Sequence, residues 1–230
     1  IVPPSNVYKL AARVLLKVHK IGIKKQLGCF TTAYKAFGGC SLTVCAAKQH
    51  LESFPDDPII LSDFKKGYST VLRGRLRSII ANKLPYLLCI FDTFYQGNNF
   101  IGFINRFNEM NFTSMEDGLL QGDPLAPIFY SILNSDIRER SNQKLQVGED
   151  SDGTNLERLR VLEHIDDATI FGEKQQVLDF LPIYYKESSA WGGRTNKDKF
   201  VVYFNSIQAF QRANVFLKNV QKIMGFIPEV

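Results

Sequence analysis

Residues 159–172, Leu-Arg-Val-Leu-Glu-His-Ile-Asp-Asp-Ala-Thr-Ile-Phe-Gly, read as two short apolar strands with an aspartate pair between them. LRVLEHI and ATIFG are both strand candidates, and only Asp166-Asp167 separates them, which is a strand–turn–strand pattern. Asp is a favoured turn residue, so a solvated turn accounts for such a pair taken alone. The flanks argue for more. Val161, Ile165, Ile170 and Phe171 make both strands apolar and put two carboxylates at the tip of a buried hairpin. Like charges that close disfavour ionisation unless a cation or hydrogen bonds compensate. A hard divalent ion with oxygen ligands meets that need.

A third carboxylate lies upstream. Asp63 ends the apolar run Ile59-Ile60-Leu61-Ser62, itself a buried strand candidate. Asp63 could cap a following helix. It could also join Asp166 and Asp167 in a three-carboxylate cluster able to hold two cations about 3.5–4 Å apart, one activating an attacking hydroxyl and one neutralising a leaving oxygen. Between these segments runs GLLQGDPLAP, residues 118–127, where Gly122 and Pro124 make a tight approach to a helix. A glycine there lets backbone come close to a base or sugar, and Gln121 could contact a nucleotide; an ordinary loop–helix junction is the plain alternative.

The rest of the chain sets limits. It has 230 residues, 45% hydrophobic and 22% charged, which marks it as globular and not disordered. Four cysteines without a CxxC pair argue against a disulfide framework or a zinc site. No run is long and apolar enough for a membrane span, and the start lacks the order of a signal peptide, so an intracellular protein without a membrane partner is expected. The missing initiator Met suggests a piece of a longer protein. The net charge of +5 is unevenly placed: residues 1–51 hold eight basic residues and no acid. That asymmetry raises nucleic acid or an anionic surface as a partner.

Helices are expected over 6–20, where Val7, Leu10, Ala11, Val14, Leu15 and Val18 recur at helical spacing with Lys9, Arg13, Lys17 and Lys20 on another face, and over 41–53. Further helices are expected over about 73–96, from Pro124 onward, and over 175–191. Residues 98–118 suit a hairpin, QVGEDSDGTNLE a polar loop, GGRTNKDK a turn and FVVYF a last strand. The class is α+β, with adjacent strands able to pair antiparallel.

QGDPLAP resembles motif B of reverse transcriptases, above all the QGDPLSP form of LINE-type (non-LTR) retrotransposons. HIDDATIFG resembles motif C, IILSDFKKGYSTV motif A, and WGGRTNKDKF motif D with Asn196 and Lys199 in place. SNVYKLAARVLLKV and QLGCFTTAYKAF resemble the fingers segments ahead of motif A. The motifs stand in family order, and the match covers roughly residues 1–205.

The resemblance implies a right-hand polymerase: fingers over 1–58, palm over 59–72, a fingers–palm connection over 73–112, palm over 113–205, and the palm end or the start of a thumb over 206–230. The palm would be an antiparallel sheet packed on helices, with the thumb largely absent. The implied activity is RNA-directed DNA polymerisation on an RNA template, extending a DNA primer with deoxynucleoside triphosphates. Two Mg²⁺ ions would serve, with Mn²⁺ as a substitute, and the location would be nuclear in a eukaryotic host. Asp63 and Asp166 would be the main metal ligands, Asp167 would assist, and the Phe64 carbonyl would complete a shell. Gln121 and Gly122 would line the nucleotide pocket, and Lys199 would approach the triphosphate. Tyr68 would lie under the incoming sugar and exclude a 2′-hydroxyl; without the motif it reads equally as a core tyrosine.

Lys9, Arg13, Lys17, Lys20, Lys24 and Lys25 would contact template phosphates, although lysines on a helix face are ordinarily just solubilising. Arg73, Arg75 and Arg77 could add to this contact. The chain departs from the family at Ser69, usually Asp, at Leu120, usually Arg, and at His164. These departures leave open a catalytically decayed, reverse-transcriptase-like module that only binds nucleic acid. An RNA-directed RNA polymerase fits less well, because positions 67–69 are Gly-Tyr-Ser, without the second acid of that class, and motif B starts Gln-Gly.

Overall fold

The computed structural model describes residues 6–27, 31–32, 38–97, 99–146 and 159–230. Its centre is a four-stranded antiparallel sheet built from β1 (Ile59–Asp63), β4 (Arg160–His164), β5 (Asp167–Phe171) and β6 (Val201–Tyr203), in the order β4-β5-β1-β6. Strand residues alternate between faces. Ile60, Val161, Ile170 and Val202 point into the main core, where they meet α7 (Ala126–Gln146) and α8 (Lys174–Ala190) through Phe129, Ile132, Phe180 and Tyr184. The other face is only partly covered. Helix α3 (Gly39–Ser53) lays Leu51 on Ile59 and Phe171 at one end, and its Cys40, Thr43 and Val44 border a cavity at the opposite end.

That arrangement decides where polar groups can go. The cavity end of the sheet carries Asp63 and Asp167, while the covered face carries aliphatic residues. One charged pair does lie beneath the sheet. Glu163 on β4 is fully buried and paired with Arg138 of α7. Burial pushes its carboxyl up to about 7, even with the guanidinium beside it.

The helix expected over 73–96 is two helices, α5 (Arg73–Lys83) and α6 (Leu88–Tyr95), with a 3₁₀ turn over Pro85–Leu87 between them. Pro85 explains the break, because it excludes the α conformation at Leu84, whose φ and ψ are −136° and 54°. The expected hairpin is present as β2 (Asn99–Ile104) and β3 (Met110–Met115). Residues 147–158, with most of the expected polar loop, lie outside the described residues, as do 28–30 and 33–37 within QLGCFTTAYKAF.

The arginines after β1 engage groups of the chain itself. Arg73 is buried and donates to the carbonyls of Gly118 and Met115, Arg77 pairs with Asp92, and Arg75 lies over the Trp191 ring.

Helix α1 (Asn6–Val18) and α2 (Lys20–Leu27) form at the expected place, but α1 faces outward with its aliphatic side. Tyr8 and Ala12 are buried, while Val7, Leu10, Val14 and Val18 are exposed. The anchoring side is chosen by a polar contact. The Tyr8 hydroxyl donates to Asp123 at 2.6 Å, and its ring packs on Phe94 at 4.0 Å between centroids. Between β1 and α5 lies α4 (Gly67–Thr70), a single turn. The chain ends with α9 (Ile207–Gln211) and α10 (Asn214–Met224), which packs on α8.

Candidate active site

In the antiparallel register Asp167 is the partner of Asp63 on one side and of His164 on the other. Both carboxylates therefore stand on the partly covered face at the same end of the sheet, in a cavity shared with Cys40 and Thr43 of α3. Only Ile165 and Asp166 form the hairpin turn, so Asp167 is a strand residue and not part of the tip. Ile165 has a φ of 59°, a left-handed conformation that a β-branched residue adopts rarely. Asn134 of α7 donates to its carbonyl at 2.5 Å and helps to fix the turn that presents Asp166.

The carboxylates feel one another. Burial, then the charges of Asp166 and Asp63, push the Asp167 carboxyl above the usual carboxylate range. Asp63 is 6% exposed and does not cap a helix. Its Oδ2 accepts from Asn196 Nδ2 at 3.0 Å and lies 2.9 Å from Lys199 Nζ. The Asn196 amide also donates to the Asp63 carbonyl at 2.8 Å, so the segment after Gly193 runs alongside the end of β1. Hydrogen bonding and attraction to Asp63 raise the Lys199 pKa, which keeps its ammonium protonated.

These residues fit a divalent cation in donor type and charge: hard carboxylate oxygens that repel one another. They do not form a ready cage. Among the described residues no three His, Cys, Asp or Glu side chains are grouped to hold an ion, and Lys199 now neutralises Asp63. The Phe64 carbonyl accepts from the Gly67 amide at 3.2 Å, and the Phe64 ring is buried against Tyr184.

Of the remaining expected residues, Tyr68 lies near Asp166, and the others do not line the carboxylate cavity. Tyr68 is half-buried and stacks on Tyr130 at 5.0 Å between centroids. Burial and the Asp166 charge raise its hydroxyl pKa. The backbone carbonyl of Tyr68 accepts from the Leu119 amide at 2.6 Å, and that of Val71 from Gly118 at 2.8 Å. The segment ahead of Gln121-Gly122 is thereby fastened to the Tyr68 turn. Gln121 and Gly122 themselves are exposed, with Gly122 at a φ of 91°. Lys9, Arg13, Lys17, Lys20, Lys24 and Lys25 sit apart on α1 and α2, and none lines the cavity at the carboxylates.

Three further residues belong to the site. A Cβ at Gly67 would come within 2.6 Å of the Tyr130 hydroxyl and 3.5 Å of the Asp166 Cβ, so only glycine fits between them. Its position just before Tyr68 was the available signal. Asp123 is buried beneath the Gln121-Gly122 turn, where it accepts from the Tyr8 and Tyr95 hydroxyls and, at 2.8 Å, from the Leu125 amide. Cys40 lines the carboxylate cavity and places its Sγ 3.4 Å from Nε2 of His164. No sequence pattern marked it.

No known family model matches the chain, and no curated protein resembles it in sequence. Solved structures do resemble its fold. Telomerase from Candida tropicalis, truncated from its C-terminal domain, superposes with a TM-score of 0.61 at 14% identity over 85% of this chain and 40% of its own. Telomerase from Candida albicans in complex with a fragment of telomeric RNA gives 0.60 at 14% identity, covering 87% of this chain and 35% of its own. The chain thus spans well under half of these relatives. Telomerase is a reverse-transcriptase-related enzyme, and the fold shared is that of a right-hand polymerase: an antiparallel palm sheet packed on helices, with fingers elements.

Proposed function

We propose that this chain is the polymerising core of an RNA-directed DNA polymerase of the LINE type, working on an RNA template and a DNA primer with deoxynucleoside triphosphates. The observation that carries the reading is the pairing of Asp63 with Asp167, with Asp166 in the adjoining turn, on a fold like that of telomerase. In this reading Asp63, Asp166 and Asp167 would be the residues that hold Mg²⁺, and a bound divalent ion would supply activation of a hydroxyl and charge neutralisation at a leaving oxygen. Lys199 leaves Asp63 for the triphosphate and holds its proton beside the departing phosphates. Tyr68, backed by Tyr130, fills the space a 2′-hydroxyl would need. Gln121 and Gly122 border the base and sugar. The supporting features are the charge conflict at Asp167 and the Asn196 side chain on Asp63.

Primer extension on an RNA template with Mg²⁺ tests this. Wild type should extend with deoxynucleotides and Asp166→Asn should not; equal background from both sinks the proposal. The engagement of Asp63 by Lys199, with Leu120 and His164 at family-variant positions, favours a second reading, a nucleic-acid-binding module that no longer catalyses. Calorimetry separates the two. A Mg²⁺ heat that disappears in Asp63→Ala supports the enzyme, and its absence in wild type supports the module.

A further inference from the structure

The outer side of α1 and α2 carries an aliphatic seam that nothing among the described residues covers. Val7 is 79% exposed, Leu10 65%, Val14 51%, Val18 69% and Ile21 85%. Ala11 is exposed beside them. The two helices run on almost without a break, since the His19 amide bonds the Leu15 carbonyl and the Ile23 amide the His19 carbonyl. Along this rod Val7, Ala11, Val14, Val18 and Ile21 are spaced four, three, four and three residues apart. That is the spacing of a coiled-coil seam, in which each side chain meets a hole on a facing helix. Solvent is a poor neighbour for such a face, and core packing does not account for it, because Tyr8, Ala12 and Ile23 already serve the core.

The charge beside the seam narrows the occupant. By helical position Arg13, Lys17, Lys20 and Lys24 form an arc along one border, and residues 1–51 contain no acid. A second copy of the same rod would set lysine against lysine. Nucleic acid would use the basic arc and leave five aliphatic residues in water, with no exposed aromatic among them to stack on a base. We infer that this surface docks an amphipathic helix of a protein partner whose apolar seam is bordered by Glu or Asp.

The probe is a fluorescent helical peptide of about four heptads with Leu at the seam positions and Glu on both borders, titrated into the 230-residue chain. Its control carries Lys in place of Glu. The acidic peptide should bind at least about tenfold more tightly than the basic one. The double variant Val14→Ser/Val18→Ser should weaken binding by about tenfold or more, with an unchanged melting temperature because both side chains are exposed. Equal binding of the two peptides, or no effect of the serines, overturns the inference. It is also overturned if the serine changes instead abolish binding to a single-stranded RNA oligonucleotide or to phosphatidylserine vesicles, or dissolve a dimer seen by sedimentation.

Discussion

Lys199 Nζ lies 2.9 Å from Oδ2 of Asp63, so the carboxylate proposed to lead the metal site is held by a lysine. Removing that cation leaves Asp63 facing Asp167 without a counter-charge. Lys199→Gln is therefore expected to bind Mg²⁺ more tightly by calorimetry, by about tenfold, while the KM for deoxynucleotides rises. Unchanged Mg²⁺ affinity would mean that Lys199 and the metal do not compete.

Asp166 adds to the repulsion that raises the Asp167 pKa. Asp166→Asn should therefore cut primer extension by at least about 100-fold and stabilise the fold slightly, by about 0.5 kcal/mol after solvent screening. Urea unfolding beside the activity assay checks both. A large loss of stability would show that Asp166 holds the turn together instead.

Tyr68 and Gly67 both lie against Tyr130. Tyr68→Ala should let ribonucleotides compete with deoxynucleotides, read as the ratio of their kcat/KM values. Gly67→Ala should cost about 1–3 kcal/mol by pushing on Tyr130 and the Asp166 turn, and primer extension should fall with it.

Asp123 accepts two tyrosine hydroxyls and one amide in a buried place. Asp123→Asn keeps the size but exchanges a charged acceptor for a partly donating one. A loss of about 2–3 kcal/mol is expected, together with a higher nucleotide KM. Tyr8→Phe should cost about 1–2 kcal/mol, because the Tyr95 bond remains.

Glu163 gives a pH signature. Its folded pKa, about 7, lies above its ordinary 4.5, so between those values the folded state holds the proton more tightly than the unfolded chain. Stability from this group is therefore present in full below 4.5 and is lost as pH rises to about 7. The total is about 3 kcal/mol. Glu163→Gln should flatten this part of the profile in urea unfolding across that pH range.

The sheet was legible because its strands are short, apolar and bounded by turn residues, and Asp63 falls at the end of its strand as expected, whereas the turn comes one residue earlier than expected and leaves Asp167 within β5. The site's second layer was not. Which side of α1 turns inward is decided by one hydroxyl reaching Asp123, across 115 residues of chain, and hydropathy alone favours the opposite side. The break at Pro85 was visible as a residue but was read through. Arg73 looked like a nucleic-acid contact because charge suggests solvent, yet its guanidinium serves the backbone carbonyls of Gly118 and Met115. Gly67 and Asn134 owe their importance to distances of a few ångströms that no spacing encodes.

Tyr8 and the Leu125 amide meet at one carboxylate, that of Asp123, so the exposed rod and the segment that follows Gln121-Gly122 form a single mechanical linkage. Whatever loads the outer side of α1 pulls, through a hydroxyl, on the backbone just ahead of α7. The hand of this polymerase fold has a handle as well as a grip.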